Sequence, residues 1–169
     1  MGFEHQRHKP PTETTSSMEL LLAVPQLQSN VNLARIVRAA GCCGLQRIIV
    51  EGKQKIDAKI ARDSLEQISI QRHRSLLPQL PRLQSEGYRL IGLEQTTNSE
   101  SIYTFRFPQR SVLVIGHERH GIGDEMLKLL DGVVEIPVFG RPLSYNVATA
   151  TAMVLYEFCR QRSLEGQSG

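Results

Sequence analysis

No apolar stretch of this 169-residue chain approaches the roughly 20 residues that a helix needs to cross a bilayer. The sequence therefore predicts no membrane segment. The first 17 residues also lack an apolar core and contain Glu4 and Glu13, which argues against a secretory or mitochondrial targeting sequence. We therefore expect a cytoplasmic protein.

Cysteine is scarce, with three residues in all, at positions 42, 43 and 159. An odd number of cysteines, two of them adjacent, does not resemble a disulfide framework, so we expect free thiols. The sequence has no CxxC pair and no histidine cluster at ligand spacing. Because zinc sites are built from such groups, we predict no metal.

The common nucleotide and nucleophile motifs are also missing. The chain contains neither GxxxxGK[ST] nor a GxGxxG after a predicted strand, which weakens P-loop and Rossmann interpretations. It has no GxSxG, which counts against an α/β-hydrolase. A net charge of +3 permits an anionic partner but does not by itself establish nucleic-acid binding.

The residues that are present describe one globular domain. With 40% hydrophobic and 22% charged residues, the chain resembles an ordinary soluble protein long enough for one substantial core. Residues 1–17 are polar and lack apolar periodicity, so we predict a flexible arm. The folded domain is predicted over 18–162, followed by a flexible tail over 163–169.

Short apolar runs alternate with helical patterns along the domain. The spacing of strand, helix and strand near its start favours a parallel βαβ unit. The sequence therefore predicts an α/β fold with a mostly parallel sheet and helices on both faces. The predicted strands cover 18–24, 46–51, 88–93, 111–115 and 133–136, and the predicted helices cover 30–41, 75–86, 124–130 and 147–158.

The first predicted helix is amphipathic, with Asn30 as its N-cap and Gly41 as its C-terminal stop. Arg35 and Arg38 lie on the face opposite the apolar stripe, where most arginines only contact solvent. The apolar stripe follows the spacing i, i+3, i+4 and i+7 and consists of Leu33, Ile36, Val37 and Ala40.

A group of basic residues follows the second predicted strand. It could face RNA, although a solvated helix is the simpler interpretation. Its members are Lys53, Lys55, Lys59 and Arg62.

Three predicted strands, ending at Leu93, Ile115 and Ile136, run into loops rich in glycine or polar residues. Ligands of parallel sheets bind beyond the carboxyl ends of the strands. The last of these loops leads to a helix start, where N–H groups without helical partners are available to a polar ligand. We therefore predict the functional site at these strand ends.

Three segments together resemble the ordered motifs of the SpoU/TrmH branch of SPOUT RNA methyltransferases. They are NLARIVR at 32–38, GHERHG at 116–121 and IPVFGRPLSYNV at 136–147. The resemblance spans about 18–162. It implies a C-terminal trefoil knot, S-adenosylmethionine bound in the knot, and methyl transfer to a ribose 2′-hydroxyl of RNA. It also implies a homodimer formed through the last helix.

The resemblance also implies roles for individual residues. The motif residues implied in catalysis are Asn32, Arg38, Glu118, Ser144 and Asn146. Those implied in cofactor binding are Leu93, Glu94, Gly116, Gly121, Ile136, Pro137, Gly140 and Leu143, together with Ser144 and Asn146. RNA contacts are implied for Arg35, Arg38 and Arg119.

Arg38 is a poor proton acceptor, because a guanidinium is almost always protonated. We therefore favour a role in binding the neighbouring phosphate and polarising the hydroxyl over direct proton acceptance. Two positions depart from the family pattern: His117 stands where many relatives have Asn, and Tyr145 stands where Leu is commonest. Neither departure removes an implied catalytic residue.

We favour tRNA over rRNA as the substrate, because the chain is compact and carries no added RNA-binding domain. One alternative is a non-catalytic RNA-binding or assembly factor with the same fold. Another is a small-molecule nucleotide enzyme, which would need a phosphate loop that the sequence lacks.

Overall fold

The computed structural model describes residues 1–14 and 16–164. Helices and strands alternate along this part of the chain. In chain order they are β1 (Glu19–Val24), α1 (Asn30–Cys42), β2 (Arg47–Glu51), α2 (Ala58–Ala61), α3 (Ser64–Gln67), β3 (Ser69–His73), α4 (Gln79–Ser85), β4 (Arg89–Leu93), β5 (Glu100–Ser101), β6 (Arg110–Ile115), α5 (Asp124–Leu127), β7 (Gly132–Glu135) and α6 (Val147–Leu164).

The strands form one sheet in the order β3-β2-β1-β6-β4-β7-β5, and every neighbouring pair is parallel. The predicted parallel sheet is confirmed. The two edge strands, β3 and β5, were not predicted. β3 has no fully buried residue and β5 has only two residues, so neither has the buried apolar run that identified the other strands.

Helices cover both faces of the sheet, as predicted. Leu20, Leu22 and Val24 of β1 belong to a core that includes the apolar stripe of α1 and residues of α6. Leu21 and Ala23 belong to a second core that includes α4, with residues of α5 packed against it. Successive side chains of a strand point to opposite faces, and both faces of β1 are apolar because both are covered.

Helix α1 differs from its prediction at both ends. The Ser29 hydroxyl accepts a hydrogen bond from the Asn32 N–H at 3.1 Å, so Ser29 is the N-cap and the assignment of Asn30 was wrong. The helix continues through Gly41 to Cys42. The positive φ that commonly follows a helix end is found at Gly44, at 72°, three residues after the predicted stop.

Two other predicted helices are shorter in the structure. α4 begins only at Gln79, with Pro78 as its N-cap, because proline is tolerated at a helix start and not in the interior. α5 ends at Leu127, although the hydrogen bond from the Leu130 N–H to the Leu127 carbonyl continues the chain as a turn.

Helix α6 is longer than predicted and continues to Leu164. Ser163 and Leu164, which were predicted to begin a flexible tail, therefore lie in the helix. The remainder of that tail, 165–169, lies outside the described residues. In the part that the structure covers, no helix is long and apolar enough to cross a membrane.

Gly41 has a packing role in place of the predicted stop. A Cβ at this position would lie 2.1 Å from the Ser64 Oγ and 2.6 Å from the Ser64 Cβ. The Ser64 hydroxyl also donates to the Arg38 carbonyl at 3.4 Å. The missing side chain therefore allows α3 to pack closely on α1.

We predict that Gly41→Ala destabilises the protein by about 1–3 kcal/mol, the usual cost of overpacking a core, although alanine is the better helix former by about 1 kcal/mol. Urea unfolding followed by circular dichroism measures the difference. In a Ser64→Gly background the same substitution should cost less, because the clashing side chain is gone. A Gly41→Ala protein as stable as the wild type would contradict this packing.

Candidate functional site

A cleft of about 540 Å³ lies at the carboxyl ends of β4, β6 and β7, which are neighbours in the sheet. Its volume is within the range of small-molecule sites. The cleft is lined by Leu93, Glu94, Gln95, Ile115, Gly116, His117, Glu118, Arg119, Gly121, Glu135, Ile136, Val138, Ser144, Tyr145, Asn146, Val147 and Ala150.

The loop between Gly116 and Gly121 forms one wall of the cleft. His117 and Gly121 exchange two backbone hydrogen bonds, each 3.0 Å long. A Cβ at Gly116 would lie 2.7 Å from the Gly121 carbonyl carbon, so the two sides of the loop meet only because Gly116 has no side chain. Glu94 holds this loop to the end of β4 by accepting from the Ile122 N–H at 3.1 Å.

Glu118 connects this loop to the start of α1. Its carboxylate accepts from the Gln28 N–H at 3.0 Å and the Ser29 N–H at 3.2 Å. It also accepts from the Asn32 side-chain amide at 3.3 Å. Burial is the largest single influence and raises the pKa of Glu118, but hydrogen bonds to the carboxylate outweigh it and hold the pKa below its ordinary value.

The Asn32 amide continues the network to the third motif. Its oxygen accepts from the Asn146 side chain at 3.3 Å. The Asn146 oxygen in turn accepts from the N–H groups of Ala148 at 2.9 Å and Thr149 at 3.3 Å, which caps the start of α6. Asn32, Glu118 and Asn146 therefore form one connected polar group, although they are far apart in sequence.

Several predicted residues lie outside the cleft lining. Arg35 and Arg38 are exposed on α1, and the cleft lining does not include them. Pro137 lines a neighbouring hollow instead, and Gly140 is exposed. Leu143 is 84% exposed, but its carbonyl accepts from the Gln95 side chain at 3.4 Å.

Asn32 is not part of the lining either, although it is hydrogen-bonded to Glu118 and Asn146, which are. The other predicted residues line the cleft. Leu93 and Ile136 come from the ends of two strands, Arg119 from the glycine-bounded loop, and Ser144 from the loop before α6. The sequence interpretation did not include Gln95 and Glu135. Gln95 lies two residues beyond the predicted strand end at Leu93, and Glu135 directly precedes the predicted end at Ile136, so considering the polar neighbours of each end would have found both.

The first turn of α6 also contributes to the cleft in a way the sequence did not suggest. The helical spacing i, i+3, i+7 and i+11 places Val147, Ala150, Val154 and Phe158 on one apolar stripe of this helix. In the structure only Val154 and Phe158 are fully buried, while Val147 and Ala150 line the cleft. Because the helix begins at the cleft, its first residues cover the site and its later residues fill the core.

The carboxylates and the histidine of the cleft are already engaged as acceptors. Glu94 accepts from Ile122, and Glu135 accepts from the Ser99 hydroxyl at 2.7 Å. The His117 Nδ1 accepts from the Arg119 N–H at 3.1 Å. With Glu118 also hydrogen-bonded, the cleft is suited to binding and orienting a ligand, and its carboxylates favour a ligand that carries positive charge.

An apolar hollow adjoins the cleft and shares Ile136 and Tyr145 with it. The hollow has a volume of about 660 Å³. Large apolar side chains on its walls are exposed, including Phe139 at 83% and Tyr156 at 75%. Exposed apolar surface of this kind usually marks an interaction site.

We predict that Glu118→Gln destabilises the protein by about 1–3 kcal/mol at pH 7, the usual cost of losing hydrogen bonds to a charged group. The glutamine side chain has one oxygen and one NH₂ group in place of the two carboxylate oxygens. Its NH₂ group would therefore face the N–H group of Gln28 or Ser29, which now donates to the carboxylate. Urea unfolding measures the loss, and Glu66→Gln on the exposed surface of α3 is the control, with an expected change within about 0.5 kcal/mol.

The loss of unfolding free energy caused by Glu118→Gln should also depend on pH. A carboxyl group with a lowered folded-state pKa stabilises the protein above its unfolded pKa, and this contribution disappears as the pH falls through the folded value. The difference between wild type and Glu118→Gln should therefore narrow below about pH 4. A difference that does not narrow as the pH falls from about 5 to about 3 would argue against an ionised Glu118 at this position.

The chain is similar to known proteins in family, sequence and structure. A model of the SpoU rRNA Methylase family matches residues 19–156. A tRNA (cytidine(34)-2′-O)-methyltransferase of Ancylobacter novellus is 33% identical over 149 residues, which cover 85% of this chain and 94% of the relative. A mouse tRNA (guanosine(18)-2′-O)-methyltransferase is 40% identical over 89 residues, which cover 53% of this chain and only 6% of the relative.

Solved structures have a similar fold. The Aquifex aeolicus TrmH/SpoU tRNA modifying enzyme superposes with a TM-score of 0.83 at 24% identity, covering 90% of this chain and 80% of that one. The SpoU methyltransferase AviRb from Streptomyces viridochromogenes, in complex with the cofactor AdoMet, superposes with a TM-score of 0.72 at 27% identity. That alignment covers 90% of this chain and 62% of AviRb.

Proposed function

Because the chain belongs to the SpoU rRNA methylase family, we propose that it transfers a methyl group from S-adenosylmethionine to a ribose 2′-hydroxyl of RNA. The observation that carries the proposal is the connected group of Asn32, Glu118 and Asn146 beside the cleft. The names of the two relatives described above specify tRNA 2′-O-methylation, which favours tRNA over rRNA as the substrate here.

The cleft residues suit S-adenosylmethionine. Half-buried aliphatic side chains such as Leu93, Ile136 and Val138 offer an apolar surface for the adenine ring. Glu94 and Glu135, whose carboxylates line the same cleft, favour the positive sulfonium group. When bound, the cofactor supplies an activated methyl group.

The residues around the cleft then have to position the RNA. A 2′-hydroxyl is a weak nucleophile, so its orientation towards the methyl carbon is the main task of the site. Asn146 is held in one orientation by Asn32 and by the α6 N–H groups, and we assign it contact with the reacting ribose. Ser144, also in the cleft lining, contacts the cofactor or the ribose.

We assign the arginines to the RNA backbone. Arg119 lies at the exposed edge of the cleft and binds a phosphate of the target nucleotide. With RNA bound across the cleft and α1, Arg38 binds the neighbouring phosphate and polarises the hydroxyl, and Arg35 adds a further phosphate contact. The trefoil knot implied by the family resemblance stays a prediction for this chain.

The reaction is tested by radiolabelled methyl transfer to bulk tRNA and rRNA. We expect transfer to tRNA, and we expect Arg38→Ala to lower kcat/KM by about 10²-fold or more, as for other groups that stabilise a transition state. Binding of S-adenosylmethionine, measured by calorimetry, should be unchanged in this variant because Arg38 lies outside the cleft lining. Arg82→Ala, on the exposed surface of α4, is the control.

A protein that binds S-adenosylmethionine but methylates no RNA pool would contradict the enzymatic proposal and favour a non-catalytic RNA-binding factor. Preferential binding of ATP or NAD would instead favour a small-molecule enzyme.

We further propose that the protein is a homodimer formed through α6. The support is the apolar hollow, in which Met153 and Tyr156 project from this helix beside Phe139. Burying exposed apolar side chains is the main favourable contribution to association. Since the hollow shares Ile136 and Tyr145 with the cleft, a second copy would also cover one side of the cofactor site.

We predict that light scattering at micromolar concentration gives twice the 19.0 kDa chain mass, and that Tyr156→Lys gives a monomer with weaker S-adenosylmethionine binding. A charge in the hollow should prevent association because it would be buried without a partner. Phe3→Lys, which changes an exposed aromatic residue outside the hollow, should remain dimeric. A wild-type protein that is monomeric under these conditions would contradict the dimer.

A further inference from the structure

Basic side chains at the amino ends of the strands are neutralised by ion pairs. Three arginines begin strands there, and each contacts a carboxylate. The pairs are Arg47 with Glu86 at 3.9 Å, Arg89 with Asp131 at 3.0 Å and Arg110 with Glu19 at 3.2 Å. The amino ends of the strands therefore offer little positive charge that is free to bind a partner.

The carboxyl ends of the strands, on the side where the cleft lies, are different. Lys53 and Lys55 follow the carboxyl end of β2, and Arg74 follows the carboxyl end of β3. All three are exposed, and among the described residues none of their side chains takes part in an ion pair or hydrogen bond. We call these three residues the basic ridge.

Carboxylates next to the basic ridge are engaged elsewhere. Glu51 accepts from the Gln26 N–H at 3.4 Å, and Asp57 caps α2 by accepting from the Lys59 N–H at 2.8 Å. Ion pairs at this end of the sheet therefore do not cancel the charge of the ridge. It remains available to an anionic partner.

Hydrogen bonds connect the basic ridge to the cleft. The loop before α1 donates from Leu27 N–H to the Gln54 side chain at 3.1 Å, and Gln54 lies between the two lysines. The same loop donates from Gln28 and Ser29 to Glu118 at the cleft. One short segment thus fixes the position of the ridge relative to the site.

A further backbone contact joins the two parts of the ridge. The Gly52 N–H donates to the His73 carbonyl at 2.8 Å, so that Lys53 and Arg74 flank one hydrogen bond. Gly52 has a φ of +77°, and a Cβ there would lie 2.5 Å from the Gln26 Oε1. Only glycine suits this turn, which directs the lysine segment away from the end of β2.

The ridge follows the strand order away from the cleft. From β6, which ends at the cleft, the next strands are β1, β2 and β3. Three strand spacings separate β6, which leads to Arg119, from β3, which leads to Arg74, so these two strand ends lie about 14 Å apart across the sheet. A line of unpaired cations at this distance from the reacting group fits the regularly charged backbone of a nucleic acid.

We propose that Lys53, Lys55 and Arg74 bind phosphates of the RNA strand next to the target ribose. The proposal rests on the proposed function, which makes RNA the partner. The ridge contacts neither the cofactor nor the reacting hydroxyl, so its contribution is to affinity and to the position of the strand. It offers the domain an RNA contact beyond the cleft itself.

The test is fluorescence anisotropy with a labelled tRNA transcript, without cofactor, over a series of salt concentrations. We expect Lys53→Gln/Arg74→Gln to raise Kd at least about tenfold at low salt. The slope of log K against log salt should become shallower by about 1.4–1.8, because each phosphate contact contributes about 0.7–0.9. S-adenosylmethionine binding and kcat at saturating tRNA should be unchanged.

The matched control is Arg106→Gln/Lys128→Gln, which also removes one arginine and one lysine from exposed positions. Its Kd and salt slope should stay close to wild type. Equal weakening by both pairs would mean that only total charge matters, and no weakening by the ridge pair would mean that RNA does not touch it. Either result would overturn the proposal that the basic ridge binds phosphates of the RNA.

The same measurements separate the ridge from the proposed reaction. If the wild-type protein methylates tRNA but the Lys53→Gln/Arg74→Gln variant binds tRNA normally, the proposed phosphate contacts of the basic ridge are wrong and the proposed function stands. If the Lys53→Gln/Arg74→Gln variant binds tRNA more weakly but the wild-type protein transfers no methyl group, the proposed reaction is wrong and the proposed phosphate contacts of the basic ridge stand. If wild type binds no RNA, both are wrong.

Discussion

The Glu118 carboxylate is the contact on which the architecture of the site depends. It accepts hydrogen bonds from Gln28, Ser29 and Asn32, and it thereby fixes the loop after β6 against the start of α1. Without that contact, the Asn32 side-chain amide would lose the acceptor that helps to orient it towards Asn146. The cost of burying the charge is offset because several N–H groups point at it.

This arrangement also separates two roles that the sequence alone could not distinguish. Glu118, by its motif position, is a candidate catalytic group, but its oxygens are occupied and its pKa is lowered, so it is a poor proton acceptor. Its contribution is to position the asparagines. The charged groups left free to meet a substrate are cations, Arg38 on α1 and Arg119 at the cleft edge, as expected for an enzyme that holds a polyanion.

Much of the fold was predictable because buried apolar strands and the stripe of α1 have clear periods. The edge strands β3 and β5 were not, since an exposed edge needs no continuous apolar run. The predicted ends of α1, at Asn30 and Gly41, were also wrong. In both cases a side chain or backbone contact decided the outcome, namely the Ser29 cap and the Ser64 approach, and a single sequence does not reveal such partners.

The location of the site was predictable from strand ends, but its internal connections were not. Motif order suggested that Asn32, Glu118 and Asn146 act together, whereas the hydrogen bonds that join them are visible only in three dimensions. The basic ridge was predictable only in part: Lys53 and Lys55 belong to the basic group that the sequence suggested could face RNA, whereas Arg74, 21 residues after Lys53, is brought to the same end of the sheet by β2–β3 pairing.

The most direct test of the central claim is mass spectrometry of nucleosides from tRNA that has been incubated with the protein and S-adenosylmethionine carrying a deuterated methyl group. The account predicts the label in the ribose fragment of a 2′-O-methylated nucleoside. A label found in a base, or a tRNA without label from protein that binds the cofactor, would contradict it.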